Sequence, residues 1–224
     1  MGRIFKWQDR DPESSGAFTE SRRLLAAGGI LALPTETFYA LAVDPYQPAA
    51  LKRLFTLKGR AEEKPVLLLV ADREMVRQVA LEAPEMALRL MARFWPGPLT
   101  LILPARGELP VLVTGGTGTV GVRQPRQDVV CRLLAAVGLP LTGTSANRAG
   151  REPLTLAAEV AREFGPEVDL ILDTGPCPGG APSTIVDVTV TPPRLVRPGA
   201  ISNEELMEIV PDLKYRDALS NLEP

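Results

Sequence analysis

The 224-residue chain contains no histidine. That absence excludes Ser-His-Asp and Cys-His nucleophile systems, the two-histidine zinc helix and every metal site that depends on imidazole. Cysteine is nearly absent: Cys131 and Cys177 match neither a CxxC pair nor a disulfide framework, which excludes a thiolate metal cage and fits a reducing compartment. Positive charge is not in excess either. Lys+Arg number 25 against 27 Asp+Glu, a net charge of −2, so the surface is not built for tight binding of a nucleic-acid backbone. Long apolar runs are also missing. The longest uncharged stretch, Leu133 to Asn147, has 15 residues and is broken by Gly138, Pro140 and Gly143, short of the roughly 18 to 20 apolar residues of a membrane span. The opening MGRIFKWQDRDPESS has no apolar leader segment, and Lys6 stands where a myristoylation signal needs Ser or Thr. A cytoplasmic protein is expected.

Proline, by contrast, is plentiful, with 22 residues against 19 glycines. Together they make up about 18% of the chain, below the roughly 25–30% of disordered sequences, so the prolines punctuate a folded protein. Helical spacing is predicted over 19–27, 48–57, 73–80 (with Asp72 as its N-cap), 84–95, 128–137, 155–164 and 202–209. In the fourth of these, Leu88, Met91, Ala92 and Trp95 are expected to form the apolar stripe. Short apolar strands are predicted at 30–33, 66–70, 99–103, 119–123, 139–142, 168–172, 184–188 and ending near Leu195. Strands alternating with helices predict an α/β protein with a twisted mixed sheet covered by helices. The simplest division is a charged segment 1–16, one domain over 17–210 and a polar tail 211–224.

Several motifs compete with ordinary structural roles. Gly116-Thr-Gly118-Thr-Val-Gly121 has the GxGxxG spacing, but Pro125 prevents the helix that a dinucleotide site needs, and a turn before a strand is the better reading. No Walker A, GxSxG or Ser-x-x-Lys pattern occurs. The window KRLFTLKGRAEEK holds Lys52, Lys58 and Lys64, three of the chain's five lysines, with Arg53 and Arg60. These cations suit either a phosphate chain or a helix C-terminus. PTET at 34–37, TSAN at 144–147 and PSTIVD at 182–187 each place hydroxyls at a strand end, where α/β proteins bind ligands, although each could singly be a turn or cap.

Together, PTETFYAL, LKRLFTLKGRAEEKP, FWPGPLTLIL, TVGVRQP, GTSAN, GAPSTIVDV and LVRPGAIS run in order from about Gly29 to Ser202. In these residues the chain resembles the YrdC-like threonylcarbamoyl-AMP synthases. The resemblance implies a single α/β domain around a concave, positively charged cleft. It also implies a reaction joining L-threonine, bicarbonate or carbon dioxide, and ATP with Mg²⁺ into L-threonylcarbamoyladenylate, which a tRNA threonylcarbamoyl transferase then uses. By matching positions, Thr37, Leu69, Arg123, Gly143 and Ser183 would surround threonine. Arg60, Lys64, Thr119, Ser145, Asn147, Pro153 and Arg197 would surround ATP, with Lys58 and Arg60 supplying catalytic charge and no metal ligand from the protein. The chain departs from the usual pattern at Ala40 (commonly glycine), Lys64 (often asparagine), Leu69 (often histidine) and Pro182 (sometimes acidic), and resembles the short form without an extra C-terminal domain. The alternatives are a carbamoyl-transferring maturation domain and an RNA-binding module of the same fold.

Overall fold

The computed structural model describes residues 3–7 and 16–215. Most of the charged segment before Gly16 and the tail beyond Tyr215 lie outside the described residues. In chain order the strands and helices begin with β1 (Arg3–Lys6), α1 (Ala17–Ala26), β2 (Leu31–Leu33), β3 (Ala40–Ala42), α2 (Pro48–Lys58) and β4 (Leu68–Leu69). There follow α3 (Glu85–Phe94), β5 (Leu99–Pro104), a one-turn α4 (Val111–Thr114), β6 (Thr119–Arg123), α5 (Asp128–Val137), β7 (Leu141–Thr142) and β8 (Thr144–Ser145). The last third holds α6 (Ala157–Phe164), β9 (Leu170–Asp173), β10 (Thr184–Asp187), β11 (Arg194–Arg197), α7 (Asn203–Met207) and β12 (Lys214–Tyr215).

The expected single sheet is two mixed sheets. One has the order β1-β9-β2-β3-β8 and the other β12-β11-β10-β5-β6-β4-β7. Helical coverage buries strands on both faces, and β2, β3 and β4 have no exposed residue. Each leucine so buried contributes about 1.5–3 kcal/mol. The chain passes between the sheets three times, most abruptly at Gly143, the single residue between β7 and β8.

Several elements match their sequence signals closely. α5 starts at Asp128, buries Val129, Val130, Leu133 and Leu134 on one stripe, and stops at Gly138. α2 carries Pro48 in its first turn and ends at Gly59, whose φ of 61° is a left-handed cap that glycine adopts without strain.

Others differ for physical reasons. The helix predicted over 73–80 is only a 3-10 turn, Met75–Gln78. Asp72 does accept the Met75 N–H at 2.8 Å. Beyond it, however, Ala80 bridges to Ala105, and Leu81 N–H donates to the Pro104 carbonyl, so pairing with the end of β5 displaces further helix. In α3 the buried stripe is Ala87, Leu90, Met91 and Phe94, while Leu88 is 47% exposed and Ala92 faces solvent. Arg3–Lys6, inside the charged segment, adds a strand parallel to β9, with Trp7 stacked on Phe18.

Candidate functional site

A cavity of about 370 Å³ opens where the two sheets meet. Ala40 and Ser145 reach it from the first sheet, and Leu69, Arg123, Ile185 and Arg197 from the second.

The PTET loop follows β2 directly. Thr35 Oγ1 organises it by accepting the N–H groups of Thr37 (3.1 Å) and Phe38 (3.2 Å) and donating to the Phe38 carbonyl (2.7 Å). This side-chain-to-backbone turn presents the buried Thr37 hydroxyl to the cavity, 3.0 Å from Thr35 Oγ1. Arg123, at the end of β6, donates Nη2 to Thr37 Oγ1 at 3.4 Å and lies 2.7 Å from Glu36 Oε1. Arg123 Nε is buried without a hydrogen-bond partner.

On the facing wall, Ser183 shares a 2.9 Å hydrogen bond with Thr100 Oγ1. Arg197 donates Nε (3.2 Å) and Nη2 (2.7 Å) to the Ser183 carbonyl, with Nη2 also 3.1 Å from Ser183 Oγ. Desolvation, then repulsion from Arg123, pushes the Arg197 pKa down, though a guanidinium keeps its charge at neutral pH.

The basic window divides. Arg60 lines the cavity, with Nε 3.4 Å from the Lys64 carbonyl and Nη2 bonded to the Pro65 carbonyl. Burial lowers its pKa. Lys58 turns inward beside the cavity instead of lining it. Its buried ammonium donates to the Ser145 carbonyl, to the Asn147 carbonyl at 2.8 Å and to Asn147 Oδ1 at 3.2 Å. Burial, then Arg60, pushes the Lys58 pKa down to about 8.

Of the residues expected to bind threonine, all five (Thr37, Leu69, Arg123, Gly143 and Ser183) meet in this one cavity. On the ATP side Arg60, Ser145, Pro153 and Arg197 line it. Lys64 is exposed on the loop after Gly59. Thr119 lies four residues of extended strand from Arg123, about 13 Å, and its hydroxyl pairs with Thr117. Asn147 is held behind Ser145, accepting the Ser145 hydroxyl at 2.6 Å. Sequence reasoning missed the Thr35 hub, the Glu36–Arg123 pair and Thr100. Thr100 did carry a signal, as the one hydroxyl within the apolar run LTLIL.

Gly143 permits a close approach. A Cβ there would lie 2.6 Å from Leu69 Cγ, and its N–H donates to the Leu67 carbonyl at 2.9 Å. Leu69 therefore packs against the crossing between the sheets.

The site holds the cations Arg60, Arg123 and Arg197, with Lys58 behind them and Glu36 paired to Arg123. The thiols of Cys131 and Cys177 are each pushed up to about 11, chiefly by burial, which leaves neither a thiolate at neutral pH. Among the described residues, no group of three or more carboxylate or thiol side chains stands ready to hold a metal. Fixed cations and hydroxyls suit a polyanion beside a small polar molecule.

Two sheets meeting at a cation- and hydroxyl-lined cavity define a mixed α/β ligand-binding domain. The chain belongs to the Sua5/YciO/YrdC family, whose model, described as telomere recombination, matches residues 23–199. It is 38% identical over 192 residues to a Pyrococcus abyssi protein named threonylcarbamoyl-AMP synthase, covering 86% of this chain and 56% of that one. It is 34% identical over 203 residues to the Bacillus subtilis protein of that name, covering 90% and 59%. The chain thus spans little more than half the length of these two relatives. The crystal structure of P. abyssi Sua5 complexed with L-threonine superposes with a TM-score of 0.89 at 35% identity, covering 95% of this chain and 62% of that one.

Proposed function

We propose that the chain is a threonylcarbamoyl-AMP synthase. Threonine's amine takes up carbon dioxide, supplied by bicarbonate, and releases a proton to give a carbamate. A carbamate oxygen then forms a bond to the α-phosphorus of ATP as the bond to pyrophosphate breaks. The carbonyl carbon of the new mixed anhydride is the one a tRNA-modifying transferase would pass to an adenosine.

The observation that carries this reading is a single cavity lined by Thr37, Arg123 and Ser183 together with Arg60 and Ser145. Its hydroxyls and fixed cations suit an amino acid set beside the phosphates of a nucleotide. Arg123 and the two hydroxyls would orient the carboxylate and side chain of threonine. Arg60 and Arg197 would neutralise charge as it moves onto the leaving pyrophosphate. The nucleophile belongs to the substrate, so a chain without histidine is no worse equipped for this chemistry. Magnesium would arrive as part of the nucleotide, since the ion keeps several waters and binds largely through phosphates. The relatives named as synthases support this activity over carbamoyl transfer or RNA binding. No helix among the described residues is long and apolar enough to cross a membrane, and the proposed compartment is the cytoplasm.

Pyrophosphate release is the test. It is expected only when ATP, L-threonine and bicarbonate are all present, and Arg60→Ala is expected to reduce it by about 100-fold or more. Pyrophosphate formed equally well without threonine would refute the assignment.

A further inference from the structure

We propose that Arg148 is a positioning residue for the ATP side of the cavity, clasping the end of α2 to the loop that carries Ser145 and Asn147. This inference rests on the functional reading above. Arg148 follows Asn147 but points away from the cavity. Nε lies 3.0 Å from Glu163 Oε1, and Nη2 lies 2.9 Å from Glu167 Oε2 and 3.3 Å from the Glu163 carbonyl. Nη1 donates to the Leu57 carbonyl at 3.0 Å, and the guanidinium lies over the Phe164 ring. One side chain thereby joins the end of α2, the end of α6 and the turn Gly165–Glu167.

The two ion pairs are 40–49% exposed and of the kind that contributes little stability. The bond to Leu57 has a different consequence. The carbonyls of Leu57 and Lys58 are among the last four of α2, which have no partner within the helix. Both are taken by the neighbouring loop, Leu57 by Arg148 and Lys58 by the Ala149 N–H at 2.9 Å. Lys58 returns the contact through its ammonium, which bonds the Ser145 and Asn147 carbonyls and Asn147 Oδ1. The pairing is reciprocal, and it sets the separation between Arg60, two residues past Lys58, and Ser145. None of Arg148's partners lies in the PTET loop, β4 or β6, which carry Thr37, Leu69 and Arg123, or beside Ser183. Gly143 precedes the clasped loop but is tied to the Leu67 carbonyl before β4, so loosening Arg148 acts chiefly on the nucleotide end.

A purely structural role would lower stability without favouring one substrate, and Arg53 provides the control. It is an exposed arginine on α2 itself, bonded to the Glu167 carbonyl at 2.8 Å and to Asp169 at 3.0 Å, with no bond to 145–149. The experiment titrates ATP into the full chain and into its Arg148→Met, Arg148→Lys and Arg53→Met variants, and measures KM for ATP and threonine by pyrophosphate release. Arg148→Met is expected to weaken ATP binding and raise its KM about tenfold, with KM for threonine unchanged. Arg148→Lys should show the same defect, because a point charge cannot span the three attachments. Arg53→Met should lower Tm comparably and leave ATP binding intact. Equal ATP affinity in Arg148→Met and wild type, or a parallel rise in both KM values, overturns the positioning role while leaving the synthase reading standing. A wild-type chain that binds ATP but releases no threonine-dependent pyrophosphate defeats the synthase reading instead, and the ATP titration still decides the clasp. A wild-type chain that does not bind ATP defeats both.

Discussion

Glu36 and Arg123 form a buried ion pair in the wall of the cavity: Oε1 lies 2.7 Å from Nη2, and the two side chains are 12% and 6% exposed. Among the described residues, every other ion pair has at least one partner 40% exposed or more. Glu36 Oε2 also accepts the Arg126 N–H at 3.1 Å, which ties the PTET loop to the chain after β6. Removing one member of such a pair leaves a buried charge uncompensated, at a cost of about 3–5 kcal/mol. Glu36→Gln, which keeps the shape and removes the charge, is therefore expected to destabilise the fold by about that much in urea denaturation. A change below about 0.5 kcal/mol, ordinary for surface sites, would show that the pair is not isolated from water.

Lys58 titrates unusually low, at about 8 against an ordinary 10.5. Between these values the unfolded chain binds a proton there that the folded chain does not. Stability attributable to Lys58 therefore rises with pH through this window and is lost as pH falls through about 8. Activity should move the opposite way. Loss of the ammonium removes one of the protons donated to Ser145 and Asn147 and loosens the ATP side. Wild-type kcat/KM for ATP is expected to fall above pH 8, while the stability difference from Lys58→Met shifts by about 3 kcal/mol in favour of wild type across the window. Paired denaturation and rate profiles over that range check both directions.

Gly143→Ala tests the crossing between the sheets. The added Cβ would stand 2.6 Å from Leu69 Cγ and 2.9 Å from Leu67 Cδ1. Overpacking of this kind typically costs about 1–3 kcal/mol. Because Leu69 and Gly143 wall the amino-acid end, KM for threonine should rise more than KM for ATP. The companion change Leu69→Ala, which opens the space, should partly restore threonine binding in the double variant.

Arg197 holds both the backbone and the hydroxyl of Ser183. Arg197→Ala is expected to lower kcat/KM about 100-fold by removing a cation fixed in the cavity. Arg197→Lys should recover only part of this, since one ammonium cannot reproduce the two-nitrogen grip on the Ser183 carbonyl. Steady-state rates for the three proteins give the comparison.

Local signals were legible where one physical rule acts alone. β6 and α5 have the bounds that their residue patterns predict, because an alternating strand and a glycine-stopped amphipathic helix face no competing partner. The helix predicted after Asp72 shrank to a turn because Ala80 and Leu81 pair with β5, a contact made far along the chain. The division into two sheets, which the chain crosses between β3 and β4, at Gly143 and between β9 and β10, is invisible to periodicity. In the site, the loops that carry the motifs do meet at one cavity, but the direction of each side chain was not readable. Lys58 has a basic window's charge and a core residue's position, because three backbone and amide oxygens accept its protons behind the cavity. Glu36 was a carboxylate within PTET with no visible partner until β6 placed Arg123 beside it.

The most direct test of the central claim follows the carbon atom. The full chain is incubated with ATP, L-threonine and isotope-labelled bicarbonate, and the nucleotide products are weighed by mass spectrometry. The expected result is an adenylate that contains threonine and the labelled carbon, formed in step with pyrophosphate and lost in Arg60→Ala. AMP or ADP accumulating without label, at a rate indifferent to threonine, would contradict it.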